Sequence, residues 1–146
     1  MKHANWFIVL ALIVLASVAL SGMAAAQLQS NSRIVAQVPF EFVAANHVVP
    51  AGEWSVKVAT MDGSTLAISN TGAKMGLFSM AIRDEAKEGA AHYALVFNQY
   101  GDRYFLAGIK LQGSNIAYRF PESKLEAELR AQNVPATEST LLASLH

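Results

Sequence analysis

The stretch HYALVFNQYGDRYFLAGIKL, His92 to Leu111, decides the fold. Two runs rich in aromatic and aliphatic side chains flank Gly101-Asp102, a dipeptide suited to the two-residue type I′ or II′ turn that joins antiparallel strands. Setting Tyr100 opposite Arg103 fixes the register. One surface then carries Ala94, Val96, Asn98, Phe105, Ala107, Ile109 and Leu111, and the other Tyr93, Leu95, Phe97, Tyr104 and Leu106. Both surfaces are apolar, so the pair needs cover on both sides from a second sheet, a helix or another chain.

The same period of two appears upstream in VPFEFVAANHVVPAGEWSV, Val38 to Val56. Val38, Phe40 and Phe42 share one face while Glu41 points away, and Trp54, Val56 and Val58 alternate with Ser55 and Lys57. Asn46 and Pro50-Ala51-Gly52 carry turn chemistry, which makes the stretch a long-looped hairpin. Asp62-Gly63 marks a further turn before the strand TLAISN, Asn70 to Gly72 another before KMGLFSMAIRD, and EAKEGA the next connection. PESKLEAELRAQ, Pro121 to Gln132, is the one helix signal. Ser123 and Glu126 have capping-box spacing, Leu125 and Leu129 form a narrow stripe, and Glu126 is placed to pair with Arg130 one turn on. Leu141, Leu142 and Leu145 in the tail ATESTLLASLH fit either a last helical turn or a mobile end.

Ahead of this domain lies a leader. Lys2 precedes the apolar run Trp6 to Leu20, and SGMAAAQ places Ala24 and Ala26 in an A-x-A arrangement, so the expected cleavage is between Ala26 and Gln27. The apolar run is about 15 residues, against the roughly 20 that cross a bilayer, so no membrane span is expected after cleavage. Removing 26 of 146 residues leaves 120, enough for one core. Removing Lys2 from eleven basic residues leaves ten against eleven acidic ones, with no concentrated basic face for nucleic acid. The absence of cysteine rules out disulfides, thiol catalysis and zinc-thiolate sites.

The chemical candidates are thin. His47 and His92 lack a second ligand at chelating spacing, so no metal or cofactor is expected. No serine sits in a nucleophile elbow, and the glycines form no phosphate-binding loop. Asp102 and Arg103 belong to a turn, while Glu41, Glu53 and Asp62 read as solvated carboxylates. The surviving signal is aromatic. Trp54, Tyr93, Tyr100, Tyr104 and Tyr118 could make a stacking platform or an interface, since such rings combine apolar area with a polar handle, and the first four with Leu106 are the candidate binding residues.

VPFEFVAANHVVPAGEWSV, YGDRYFLAGI and ESKLEAEL together resemble a set of small exported proteins of acidobacterial type. These share a V-P-F-x-F…P-A-G-x-Y/W-x-V opening, an aromatic hairpin and a Ser-x-x-E-x-x-L helix. The resemblance spans Val35 to Leu129, with Trp54 at a position otherwise held by tyrosine. It implies export and a single domain, and it implies no activity, so no residue role follows from it.

The expected fold is mainly β, a small antiparallel β-sandwich or partly open barrel of six or seven strands with one short C-terminal helix. The expected layout is a cleaved signal peptide over 1–26, a flexible lead-in over 27–33, a single domain over 34–133 and a tail over 134–146. The expected function is that of a non-enzymatic module, periplasmic or extracellular, acting through a protein or envelope-polymer contact. Surplus apolar surface on the hairpin points to a homodimer, a protein partner or a polysaccharide-facing groove lined by Tyr93, Tyr104 and Leu106. The competing reading is a carbohydrate-active or hydrolytic enzyme that uses Glu53, His92 or Asp102 in a cleft formed only on folding.

Overall fold

The computed structural model describes residues 32–86 and 88–146. The expected signal peptide and the lead-in as far as residue 31 lie outside the described residues. Within them the chain runs β1 (Ile34–Val38), β2 (Phe42–Ala44), β3 (His47–Val49), β4 (Gly52–Val58), β5 (Thr65–Asn70), β6 (Met75–Met80), β7 (Ile82–Glu85), β8 (Tyr93–Tyr100), β9 (Arg103–Lys110), β10 (Ile116–Arg119), α1 (Lys124–Ala131) and β11 (Thr137–Leu145).

The strands form one sheet in the order β3-β2-β9-β8-β11-β1-β4-β5-β6, with β10 beside β9 and β7 beside β10. All pairings between strands are antiparallel except that of β2 with β9. Ala81 alone separates β6 from β7, yet β6 bonds β5 at one end of the order while β7 bonds β10, which flanks β9 near the other. The run from Met75 to Glu85 thus ties the two ends of the sheet together and curls it into a partly open barrel with one short helix. Eleven strands exceed the six or seven expected, because the three- and four-residue strands carry too little periodicity to be read singly.

The upstream stretch is a hairpin inside a hairpin. β1 pairs β4 from Ile34↔Val56 to Val38↔Gly52, and β2 with β3 form a small hairpin in the loop between them. Its two turn residues, Ala45 (φ 48°) and Asn46 (φ 64°), are both left-handed, the signature of a type I′ turn. At the tight turn of β8 and β9 only Gly101 has positive φ (63°), which selects type II′ from the two alternatives.

The expected register of β8 with β9 holds from Tyr100↔Arg103 to Phe97↔Leu106 and then shifts, Val96 pairing Gly108 and leaving Ala107 bulged out of the ladder. The bulge corrects the facing of Ile109, which joins Leu95 and Phe97 on the inner side. Close approach of β10 explains it. A Cβ on Gly108 would lie 2.7 Å from the Tyr118 carbonyl oxygen, so only glycine lets the two backbones meet here, and the bulged Ala107 presents its carbonyl to Phe120 N–H at 2.8 Å.

The tail is neither helical nor mobile. β11 lies between β8 and β1, pairing residues 137–143 with β8 and residues 144–145 with β1. Ser139, Leu141 and Ala143 alternate inward along it, a pattern of two that the adjacent Leu141-Leu142 pair disguises. Arg33, expected in the lead-in, exchanges two backbone hydrogen bonds of 2.9 Å with His146.

Two apolar clusters result. Inside the curl lie Val38, Phe42, Trp54, Val56, Leu66, Ile68, Leu95, Phe97, Leu106 and Ile109. Outside it, Val43, Tyr100 and Phe105 are covered by Leu125, Leu129 and Val134 from α1 and the chain just after it. Helix and second face answer the cover that the two-faced hairpin demanded.

Candidate functional site

The outer face of the sheet beside α1 holds a groove of about 590 Å³. Its position follows from the pleat. Val96 and Asn98 of β8, Gly108 and Lys110 of β9, Ala117 and Arg119 of β10, and Ile82 and Asp84 of β7 share that face across four neighbouring strands. The central side chains are small, so the floor is shallow and apolar. Glu138 of β11 closes one side, and Pro121, Glu122, Glu126 and Arg130 form the wall on the helix side.

Cap chemistry sets that wall. Ser123 is the N-cap, its hydroxyl accepting from Glu126 N–H at 3.1 Å, as the spacing implied. The reciprocal half of the capping box is not made. Glu126 turns toward the sheet instead, is only 4% exposed, and accepts a 2.7 Å hydrogen bond from Asn98 Nδ2. Arg130, expected to pair with Glu126, takes Glu122 in a two-pronged contact of 2.8 and 2.9 Å. Both departures have one cause: Glu126 lies on the sheet side of the helix, with Asn98 beneath it, while Arg130 stays exposed. Asn46 adds a contact from the β2–β3 turn, its Oδ1 accepting from Lys124 N–H at 2.9 Å. The helix ends on a Schellman motif. Asn133 (φ 57°) takes the left-handed position, Val134 N–H bonds Leu129 O at 3.1 Å, and Asn133 N–H bonds Arg130 O at 3.0 Å.

The groove is densely but evenly charged. Lys110 meets Glu138 at 3.3 Å, Arg119 approaches Asp84 at 3.8 Å and Arg130 holds Glu122, so one carboxylate, that of Glu126, is in excess. Tyr100 sits at the helix end of the groove with its phenol pKa raised above 10.0, first by burial and then by the carboxylates of Glu126 and Glu122. No histidine lines the groove, and the Ser123 hydroxyl is committed to its cap. The arrangement can hold a ligand by hydrogen bonds and ion pairs over a small-residue floor. Among the described residues, no group of three His, Asp or Glu side chains is placed to hold a metal ion, and no helix is long and apolar enough to cross a membrane.

The five candidates from the aromatic reading fall elsewhere. Trp54 is fully buried inside the curl, edge-on to Phe42, with Nε1 donating to Pro50 O at 2.9 Å. Leu106 is in the same core, and Tyr100 packs under α1, edge-on to Phe105. None of the three is available for a stacking platform, because the hairpin's two faces are covered by its own chain. Tyr93 and Tyr104 are half-buried against the inner core, and Tyr104 stacks on Phe40 with ring centroids 3.8 Å apart. Of these five, only Tyr100 reaches the groove, where Tyr118 of the wider aromatic set also lies.

Glu53, His92 and Asp102 are not brought together either. Asp102 lies in the turn after β8, and His92 immediately before that strand, roughly 25 Å away at about 3.3 Å per residue. Glu53 lies on β4, which β1 and β11 separate from β8. The groove residues had one legible signal: Asn98 stands alone as a carboxamide on an otherwise apolar strand face, and a polar group so placed requires a partner. Compared with known proteins, the chain matches no family model, no curated relative and no solved structure.

Proposed function

We propose that this chain is an exported, non-enzymatic binding module that holds a hydroxyl-rich envelope polymer, a polysaccharide, in the groove beside α1. One observation carries the reading. Guanidinium, ammonium, carboxylate and carboxamide groups ring a shallow floor of Val96, Gly108 and Ala117, with charges nearly balanced. A sugar chain matches that chemistry, since its hydroxyls both donate and accept while its C–H faces rest on small apolar side chains. A strongly anionic polymer fits less well, because each groove cation already has a carboxylate partner. The leader-like segment and the resemblance to small exported proteins support export.

Co-sedimentation of the 27–146 polypeptide with purified peptidoglycan sacculi and with insoluble envelope polysaccharide tests this. Binding to one of them is expected, weakened at least tenfold by Lys110→Ala combined with Arg130→Ala. Both side chains are in exposed ion pairs, each worth at most about 1 kcal/mol, so the fold survives the change. Binding to neither polymer, or binding that the double variant leaves unchanged, overturns the proposal.

A further inference from the structure

The end of the sheet at β6 carries an interaction surface independent of the groove. Among the described residues β6 pairs only β5, so one of its edges has no strand partner there. Neighbouring hydrogen bonds fix which residues face that edge. Ala81 N–H donates to Ser64 O at 2.8 Å, so the odd residues of β6 bond β5, and the main-chain groups of Gly76, Phe78 and Met80 point away. Farther along the same run, Ala86 N–H donates to Asn115 O at 2.7 Å, which places β10 on that outward side but only beyond Ala81. The Met80 carbonyl accepts from the neighbouring Ser79 hydroxyl at 3.1 Å, a local bond to a group without a strand partner.

The side chains leave this edge unprotected. Met75 to Met80 contains no charge and no proline, the usual devices that keep an edge strand from pairing with another chain. Phe78 and Met80 are each 71% exposed, and Ile82 continues their line on β7.

We infer that β6 pairs antiparallel with β6 of a second copy of this chain, about a two-fold axis at Phe78. In this register every outward N–H and C=O of Gly76, Phe78 and Met80 finds a partner, because the sets of outward-facing residues coincide under the two-fold. Phe78 packs on its counterpart. Met80 lies across from Gly76 of the second copy, where the missing side chain leaves open space for the thioether. Charge complements charge along the seam. Lys74 precedes the strand while Asp84 and Glu85 outweigh Arg83 after it, so antiparallel alignment brings the basic start of one copy toward the acidic end of the other. The strand leaves the pair at the Thr71–Lys74 turn, before it would meet β10 of the second copy.

Sedimentation equilibrium of the 27–146 polypeptide, which contains the whole compact unit Arg33–His146, tests the inference. A reversible dimer is expected at tens of micromolar. Phe78→Lys should weaken it at least tenfold without altering the circular dichroism spectrum, since the side chain is exposed. As the chain has no cysteine, Phe78→Cys gives a single thiol, and oxidation should link two copies through it, while Leu142→Cys on β11 should stay unlinked. A monomer throughout the concentration range, a dimer indifferent to Phe78→Lys, or linkage at Leu142 but not at Phe78 overturns the inference.

Discussion

Asn98 Nδ2 lies 2.7 Å from Glu126 Oε1, joining the middle of β8 to the first turn of α1 across the outer face of the sheet. A nearly fully buried carboxylate is tolerable only because this donor meets it. Asn98→Ala should therefore destabilise the fold by about 2 kcal/mol, the cost of leaving a buried acceptor unpaired. Asn98→Ala combined with Glu126→Leu should recover part of that loss. Urea unfolding of the two variants and the parent measures both, and an additive double variant would separate the two residues energetically.

The same corner gives a pH dependence. The pKa of Tyr100 is raised in the folded chain, so the protonated phenol contributes stability that is fully present below the unfolded value of 10.0 and is lost as pH rises above it toward the folded value. Tyr100→Phe should flatten the decline in melting temperature above pH 10. Thermal melts of parent and variant between pH 8 and about 11.5 check the sign.

Gly108 is where β9 and β10 touch. Gly108→Ala sets a methyl against the Tyr118 carbonyl oxygen, and because the obstacle is backbone, the two strands must separate. A loss of about 2 kcal/mol is expected, as for other forced insertions into close packing. Amide exchange should speed up along β10 and leave β5 unchanged.

Asn46 does two jobs that substitution can separate. Asn46→Gly keeps the left-handed turn and removes the side-chain bond to Lys124 N–H, at a cost of about 1 kcal/mol. Asn46→Ala loses the bond and strains the turn as well, adding about 1 kcal/mol more. Equal costs in denaturant unfolding would show that the left-handed turn adds no strain, and an Asn46→Gly variant as stable as the parent would show that the contact to the helix contributes nothing.

The sequence made legible whatever is periodic or local. Alternation along β4, β5, β8 and the first half of β9, the Gly101 turn and the Ser123 cap are each set within a few residues, and each stands where it was expected. Meetings between distant segments were hidden. The bulge at Ala107 depends on β10 arriving beside Gly108, the inward turn of Glu126 on an asparagine 28 positions earlier, and the fate of Leu141 on the space between β8 and β1. The fate of the aromatic candidates was hidden for a related reason. Tyr100, Leu106 and Trp54 offer the same side-chain chemistry to a core as to a ligand, and only topology decides which one they meet.

β11 is the last strand in sequence and stands in the middle of the sheet, between β8 and β1. A ribosome releases β1, β4, β5 and β6 long before it, and they can form a meander, but that meander has no neighbour on the β1 side until residues 137–145 emerge. Synthesis and assembly therefore run out of step: the chain is nearly complete before its two halves can be zipped together. Export in an unfolded state, as proposed above, would gain from such a delay, since the order of the strands holds back closure. Arrested chains lacking residues 134–146 should stay protease-sensitive, and addition of that segment as a free peptide should restore protection.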